Sequence, residues 1–325
     1  MFDREELLKL PISYFSMPMG LLGVGVEAHH LEKMLALNHF FSEIIVYFAW
    51  SLVVAMLSYF LFNQLSRKGR DYTLAQWRDS VSLLDFPILS LTALLILLTL
   101  SDFRQNIHVW HYVFYLIMLI HTWLNIEILT RWFNDVSLEI LKIKPTLFIM
   151  LSGNFMVVIV GYVYLPPTDI EFLWFYFSVS LFLWFSFVFM LFYRLIFEQV
   201  IQPHLRPSLF IVLSPPSLGL VAYTLLSGVS HASPLIWGLF SFATFFLFMW
   251  FFMYPYFRNI KLSMVGWAFI YPLASYDVSL QFMYQQTQAF PLLLLAMVVM
   301  TVNIVLSILL SLKMGKTIWL NVIRH

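Results

Sequence analysis

The chain has 325 residues, of which 61% are hydrophobic and 11% charged, with a net charge of +1 and no cysteine. Soluble domains have about 45–50% apolar and about 25% charged residues, so this composition excludes a water-soluble globular fold. The near-neutral charge excludes a basic surface for nucleic acid, and the absence of cysteine excludes disulfides and thiolate metal sites. The sequence predicts an all-α integral membrane protein with a single transmembrane domain over residues 1–325.

Apolar runs of membrane-crossing length predict ten transmembrane helices. In chain order the predicted spans are 12–36, 40–62, 80–101, 110–130, 145–164, 171–193, 208–228, 233–253, 263–285 and 291–312. Sixteen of the eighteen Lys and Arg residues then lie on the side of the two termini, and Lys33 and Arg104 lie on the other. Because cytoplasmic loops are rich in Lys and Arg, both termini are predicted to be cytoplasmic. The acidic start of the chain is not typical of a cleaved signal peptide.

Odd-numbered and even-numbered spans differ in composition. Eight of the eleven glycines lie in odd spans, as does every proline well inside a span. A proline inside a membrane helix frees a backbone carbonyl that protein or cavity water must satisfy. We therefore expect five tandem helical hairpins, with an inner ring of five kinked odd helices around a central pore. The predicted kink and pore-lining residues are Phe15, Pro18, Gly20, Pro87, Gly153, Asn154, Pro215, Pro216 and Pro272.

Ionisable residues inside the spans are few, so each is a candidate functional group. Asp85 and Asp277 lie on predicted kinked helices and could carry protons in a coupled transporter, or could simply bond neighbouring helices. No Lys or Arg lies deep in a span, so no positive ring for anions is evident. Anion selectivity therefore does not follow from the residues alone.

The histidines and the motif search give no cofactor, no metal site and no enzyme. His108 and His121 are thirteen residues apart, which is near the spacing of haem ligands on one helix, but the candidate partners His29 and His30 are adjacent near a helix end. His108 and His111 have an i, i+3 spacing without a further ligand close in sequence. We interpret these histidines as interfacial. No catalytic or nucleotide-binding motif is present.

Four stretches of the sequence resemble one family in order along the chain. They are Pro11–Gly23, Asn154–Phe155, Pro203–Ser217 and Gly266–Pro272. Together they resemble the TehA-type tellurite-resistance/dicarboxylate transporter family, which includes bacterial members, slow anion channels of plant guard cells and fungal malate and sulfite transporters.

The resemblance implies a homotrimer in the bacterial inner membrane, surrounded by lipid, with a pore in each subunit for small inorganic anions such as chloride and nitrate. It also implies an aromatic gate on the ninth span, which corresponds to Tyr271, or to Phe269 if the alignment shifts by two residues. The sequence thus favours an anion channel. A proton-coupled carrier or exporter of C4-dicarboxylate, sulfite or tellurite oxyanions is the alternative.

Overall fold

A computed structural model describes residues 11–103, 107–140, 143–198, 201–229, 231–257 and 264–323. Within these ranges the secondary structure is entirely helical, which confirms the all-α prediction. The α-helices are α1 Ser16–Met34, α2 Phe40–Leu65, α3 Arg67–Arg78, α4 Pro87–Phe103, α5 Ile107–Asn134, α6 Leu147–Tyr164, α7 Leu173–Phe197, α8 Ser214–Ser227, α9 Pro234–Phe252, α10 Tyr254–Phe257, α11 Ile270–Thr287 and α12 Phe290–Ile323.

Five of these helices form a closed ring. Helix α1 packs against α4, α4 against α6, α6 against α8, α8 against α11, and α11 returns to α1. Each of them also packs against the long helix that follows it, namely α2, α5, α7, α9 and α12. The chain therefore builds five successive hairpins, each with one helix in the inner ring and one outside it.

Burial separates the two rings. We compare the buried share of residues in the most apolar stretch of each helix. This share is 67% to 89% in the inner units that contain α4, α6 and α8, and 11% to 33% in the five outer helices. The outer helices expose many large apolar side chains, among them Phe182, Phe248 and Leu309. An exposed apolar surface of this extent is typical of helices that contact lipid acyl chains, because its exposure to water would be unfavourable.

Among the described residues, eight helical segments are long and apolar enough to cross a membrane. Helices α1 and α11 are 19 and 18 residues long but more polar, since they carry groups such as Glu27 and Asp277. Both lie in the inner ring, where their neighbours and not lipid surround them. With these two helices the bundle has a helix in each of the ten segments that the sequence predicts to be spans.

The interior prolines mark a change of helix type. Each of four inner helices, α1, α4, α8 and α11, is preceded by a 3₁₀ segment and has its interior proline or prolines near its start. The 3₁₀ segments are Ile12–Phe15 before Pro18, Ser82–Asp85 before Pro87, Pro203–Leu213 before Pro215 and Pro216, and Met264–Phe269 before Pro272. Every one of these prolines is among the first three residues of its α-helix. At such positions the missing N–H has no intrahelical acceptor in any case, so proline fits without breaking a bond.

This arrangement locates the breaks that are expected in the odd helices. The prolines lie where the 3₁₀ segment of each of these four inner units passes into its α-helix. The fifth span departs from the expectation, because α6 runs as an uninterrupted α-helix through Ser152, Gly153 and Asn154.

Candidate functional site

The axis of the ring contains a cavity on the side where the 3₁₀ segments lie, and we call it the proline-side cavity. Its volume is about 200 Å³. All five hairpins contribute to its wall, with Ser13, Tyr14, Ser16 and Met19 from the first, Asp85 and Ile88 from the second, Lys144, Thr146 and Ile149 from the third, Leu205, Ser208 and Ile211 from the fourth, and Ala268, Tyr271 and Pro272 from the fifth. A wall built from every inner unit places this cavity on the ring axis.

A second cavity, the histidine-side cavity, lies towards the other end of the ring and has a volume of about 300 Å³. It too is lined by all five hairpins. The wall includes Gly23, His29, His30 and Lys33 from the first, Leu95 and Leu98 from the second, Met156 and Tyr162 from the third, Leu218 and Val221 from the fourth, and Tyr271, Ala274, Ser275 and Val278 from the fifth. The two cavities therefore follow one another along the same axis.

Tyr271 is the residue that the two cavities share. Its side chain is buried, with 3% of the residue exposed. The facing position on α1 is Gly23, where a Cβ atom would lie 3.3 Å from the Tyr271 ring carbon Cδ2 and 3.2 Å from the Ala274 Cβ atom. The absence of a side chain at Gly23 thus makes room for the phenol ring at the axis.

The backbone around Tyr271 is held by side-chain hydrogen bonds. The Ser275 hydroxyl donates to the Tyr271 carbonyl at 2.9 Å, and the Asn303 amide donates to the Ile270 carbonyl at 3.2 Å. The phenol side chain, in contrast to this backbone, is not held by a hydrogen bond to a described group. Its hydroxyl interacts with Ser275, but it meets hydrogen-bond geometry with no group that the structure describes. The ring is therefore positioned mainly by packing.

Phe269, the alternative gate residue, lies away from the axis. Its ring is half-buried and packs edge-on against Phe210, with the ring centroids 4.5 Å apart. Neither cavity has Phe269 in its wall. A two-residue difference in register turns a side chain by about 200° in an α-helix and by about 240° in a 3₁₀ helix, so Phe269 and Tyr271 face different sides.

Among the nine residues predicted to line the pore, Pro272 is in the wall of a cavity and the other eight are not. Phe15 turns towards the outer helix α2 and contacts Phe60, with ring centroids 6.2 Å apart. Gly20 faces Ile270 of α11, whose Cβ atom would lie 3.1 Å from an added Cβ. Phe15 and Gly20 thus pack against neighbouring helices, and the assignment of these eight residues to the pore wall stays a prediction.

Gly153 and Asn154 also face away from the axis, towards the outer helix α5. The imidazole of His121 occupies the space where a Gly153 side chain would be, and the Asn125 amide donates to the Asn154 Oδ1 atom at 2.7 Å. The sequence pattern identified a position of close approach, and the groups that approach are side chains of an outer helix.

His121 is fully buried, so its interpretation as an interfacial residue is wrong. Both ring nitrogens have partners, because Nδ1 lies 2.8 Å from the Ser90 hydroxyl and Nε2 lies 3.2 Å from the Met150 carbonyl oxygen. These contacts join α5 to α4 and α6 and leave neither nitrogen for a haem iron. The side chain of His108 lies outside the described residues, and His111 Nδ1 is 2.8 Å from the Tyr164 carbonyl oxygen.

Two lysines at helix ends, Lys144 and Lys33, reach the cavities, and the sequence alone did not indicate this. Lys144 and Asp85 line the proline-side cavity and interact electrostatically with each other. Lys33 lines the histidine-side cavity together with His29 and His30. Lysines at span boundaries look like ordinary interfacial residues in a sequence. The position of Lys144 next to a predicted span was the signal that could have drawn attention to it.

Asp277 belongs to a buried polar network outside both cavities. Its Oδ2 atom accepts from the Gln281 amide at 2.6 Å, and Glu27 of α1 lies near enough for electrostatic repulsion. Glu27 Oε1 accepts from the Asn303 amide at 3.0 Å. The Gln281 Oε1 atom is 2.7 Å from His30 Nδ1, and His30 reaches the histidine-side cavity. Asp85, by contrast, stands in a cavity wall.

Comparison with known proteins agrees with this architecture. The family model described as a voltage-dependent anion channel (SLAC1) matches residues 9–314, which contain the first four hairpins, most of the fifth and the lining residues of both cavities. No curated protein matches the chain. The match extends over nearly the whole sequence and covers every residue named above as lining the axis. The chain therefore belongs to the voltage-dependent anion channel family and is a multi-pass membrane channel or transporter for anions.

Proposed function

We propose that the protein is a channel for small monovalent anions such as chloride and nitrate, and that Tyr271 is its gate. The observation that carries this proposal is the position of Tyr271 in the walls of both axial cavities. The ring stands where the two water-accessible volumes would otherwise meet. Movement of this one side chain would join them into a conduit through the inner ring.

An aromatic ring suits a gate in this position. The neighbouring cavity walls are largely apolar, and an apolar constriction excludes ions because their hydration shell has no replacement there. The phenol hydroxyl meets hydrogen-bond geometry with no described group, so rotation of the ring costs its packing contacts and its interaction with Ser275. Gly23 gives the ring space on the α1 side.

The preference for anions is supported by the charge and hydroxyl groups of the walls. Lys144 lines one cavity and Lys33 the other, and the hydroxyl groups of Ser13, Ser16 and Thr146 can donate hydrogen bonds to an anion. Apolar walls concentrate the field of these few charges along the axis. With one carboxylate, Asp85, beside Lys144, the attraction is weak, and we expect discrimination mainly by size.

Anion flux into liposomes tests the gate. Replacing Tyr271 by Ala removes the ring and is expected to raise chloride flux roughly tenfold or more, because it opens the constriction. The Tyr271→Phe variant keeps the ring and should retain a low flux. Phe269→Ala removes a neighbouring ring that lines neither cavity and is the matched control. Equal flux in wild type and Tyr271→Ala would reject Tyr271 as the gate.

A proton-coupled oxyanion carrier is the second candidate, and the network around Asp277 favours it. Two carboxyl groups, those of Glu27 and Asp277, are buried beside each other, and Gln281 and His30 connect them to the histidine-side cavity. A buried carboxyl pair of this kind can bind a proton between its two members. A carrier would show a reversal potential that follows the pH gradient, and Asp277→Asn would abolish that dependence. A channel would show neither effect.

We further propose a homotrimer in a bacterial inner membrane with both termini in the cytoplasm. The distribution of Lys and Arg supports the orientation, and the broad apolar outer ring leaves surface for contacts between copies. Because the chain has no cysteine, single cysteines introduced into the loops can report their side through impermeant reagents. Mass measurement of the detergent-solubilised protein gives the number of chains.

A further inference from the structure

A cluster of three metal-binding side chains lies where the first hairpin turns. His29 and Glu32 lie in the last turns of α1, and His39 immediately precedes α2. One candidate ligand atom from each of these residues lies within 4.8 Å of the other two. The cluster includes two imidazoles and a carboxylate, and it lies outside the Tyr271 constriction.

The turn itself brings His39 back onto α1. Ala36 has a left-handed backbone conformation, with φ of 52°, and the Leu37 N–H donates to the Glu32 carbonyl at 2.8 Å. This reversal places the His39 ring over the His29 ring, with centroids 4.4 Å apart. The chain therefore assembles the cluster by local backbone geometry within one hairpin.

Two features of the cluster are typical of a ligand set. The His39 Nδ1 atom is buried, has no hydrogen-bond partner among the described groups, and lies 3.8 Å from Glu32 Oε2. The Ser42 hydroxyl donates to Glu32 Oε2 at 2.5 Å, and its oxygen lies 3.4 Å from His29 Nδ1. A hydrogen-bonding group that orients metal ligands from behind is a regular part of zinc sites.

We propose that His29, Glu32 and His39 bind a divalent transition metal ion, with Zn²⁺ as the best match. Two histidines and one carboxylate form a known zinc ligand set that leaves a fourth position for water. Imidazole nitrogen also discriminates against Mg²⁺ and Ca²⁺, which prefer oxygen ligands. This proposal revises the sequence expectation of no metal site.

Binding requires a modest contraction of the cluster. Ligand atoms of a tetrahedral zinc ion are about 3.3 Å apart, given zinc–ligand distances of about 2.0–2.1 Å. His39 can provide the movement, because its side chain is 39% exposed and lies in the turn. Lys33 is the nearby charge that opposes a cation, and its side chain is exposed to solvent, which weakens that opposition.

The location gives a bound ion access to the transport axis. His29 is part of the cluster and also of the wall of the histidine-side cavity. A metal ion there would add positive charge at the end of that cavity. Metal binding does not depend on Tyr271 or on the identity of the transported anion, so the two proposals can fail independently.

Calorimetric titration of ZnCl₂ into the purified, untagged chain tests the site. We expect one Zn²⁺ per chain in the wild type. His39→Ala should weaken binding by more than about 100-fold, since loss of a group that only supports a ligand already costs about 10–100-fold. Glu32→Gln preserves the shape and the Ser42 contact while removing the charge, and it should also weaken binding. Ser42→Ala should weaken Zn²⁺ binding relative to the wild type, but less than His39→Ala does.

His231→Ala is the matched control, because this histidine is exposed in the corresponding turn between α8 and α9. It should leave the affinity for Zn²⁺ unchanged. Co²⁺ provides a second readout, since its visible d–d absorption in the wild type should disappear in His39→Ala. Unchanged Zn²⁺ affinity in both His39→Ala and Glu32→Gln, or an equal loss in His231→Ala, would overturn the site.

Discussion

The two cavities on either side of Tyr271 have similar sizes but different charge. The proline-side cavity contains a lysine and a carboxylate, Lys144 and Asp85, whose charges oppose each other. Among the residues that the structure describes, the histidine-side cavity is lined by Lys33 and two histidines and by no carboxylate. If anions pass through both cavities as proposed, the histidine-side cavity should attract them through the positive charge of Lys33. The proline-side cavity should be close to neutral, and the loss of either Lys144 or Asp85 should change its charge.

The largest expected effect comes from Lys144→Met in the Tyr271→Ala background, where the gate is open. Loss of this charge leaves Asp85 unbalanced and makes the proline-side cavity negative. At about 10 Å and an effective dielectric constant of about 20, one unit charge changes an anion's energy by roughly 1.7 kcal/mol before solvent screening. With screening, chloride conductance should fall roughly threefold to tenfold. Planar-bilayer recording measures it.

Asp85→Asn in the same background tests the balance from the other side. Removing the carboxylate leaves Lys144 unopposed, so chloride conductance should rise, and the double variant Lys144→Met/Asp85→Asn should return close to the starting value. Equal conductance in all three variants would mean that the pair does not face the permeating ion.

Lys33→Met should have the smallest effect of the three. The Lys33 side chain is exposed, so its interaction with an ion is screened by water and salt. We expect less than about a twofold fall in chloride conductance at low ionic strength and no measurable fall near 1 M salt, where the Debye length is about 3 Å. If Lys33→Met lowers chloride conductance at high salt more than Lys144→Met does, the predicted order of the two effects is wrong.

The hairpin repeat and the inner ring could be predicted from the sequence, because membrane crossing and close helix packing constrain composition directly. Glycine and proline in alternate spans, with the one-sided distribution of Lys and Arg, were sufficient for that conclusion. The direction that each residue faces could not be predicted in the same way. A small residue indicates close packing with another group but does not identify that group, and at Gly153 the group is His121 of an outer helix.

The candidate site likewise has features that the sequence predicts and features that only the fold shows. Tyr271 was identified through a family resemblance, and its position at the axis follows from the space at Gly23 and the start of α11, neither of which is visible as a motif. Lys144 and His39 lie at or beyond the span boundaries, where residues normally contact water or lipid headgroups. Only the folded chain shows that one enters a cavity wall and the other returns to α1.

The most direct test is the accessibility of one cysteine on each side of Tyr271. Ser16 lines the proline-side cavity and Val278 the histidine-side cavity, both are half-buried, and the chain has no cysteine of its own. With Tyr271 intact, we expect a small membrane-impermeant thiol reagent to modify Ser16→Cys from one side of the membrane and Val278→Cys from the other. In Tyr271→Ala, each cysteine should react from both sides. Two-sided reaction with Tyr271 present, or one-sided reaction in its absence, would contradict the account.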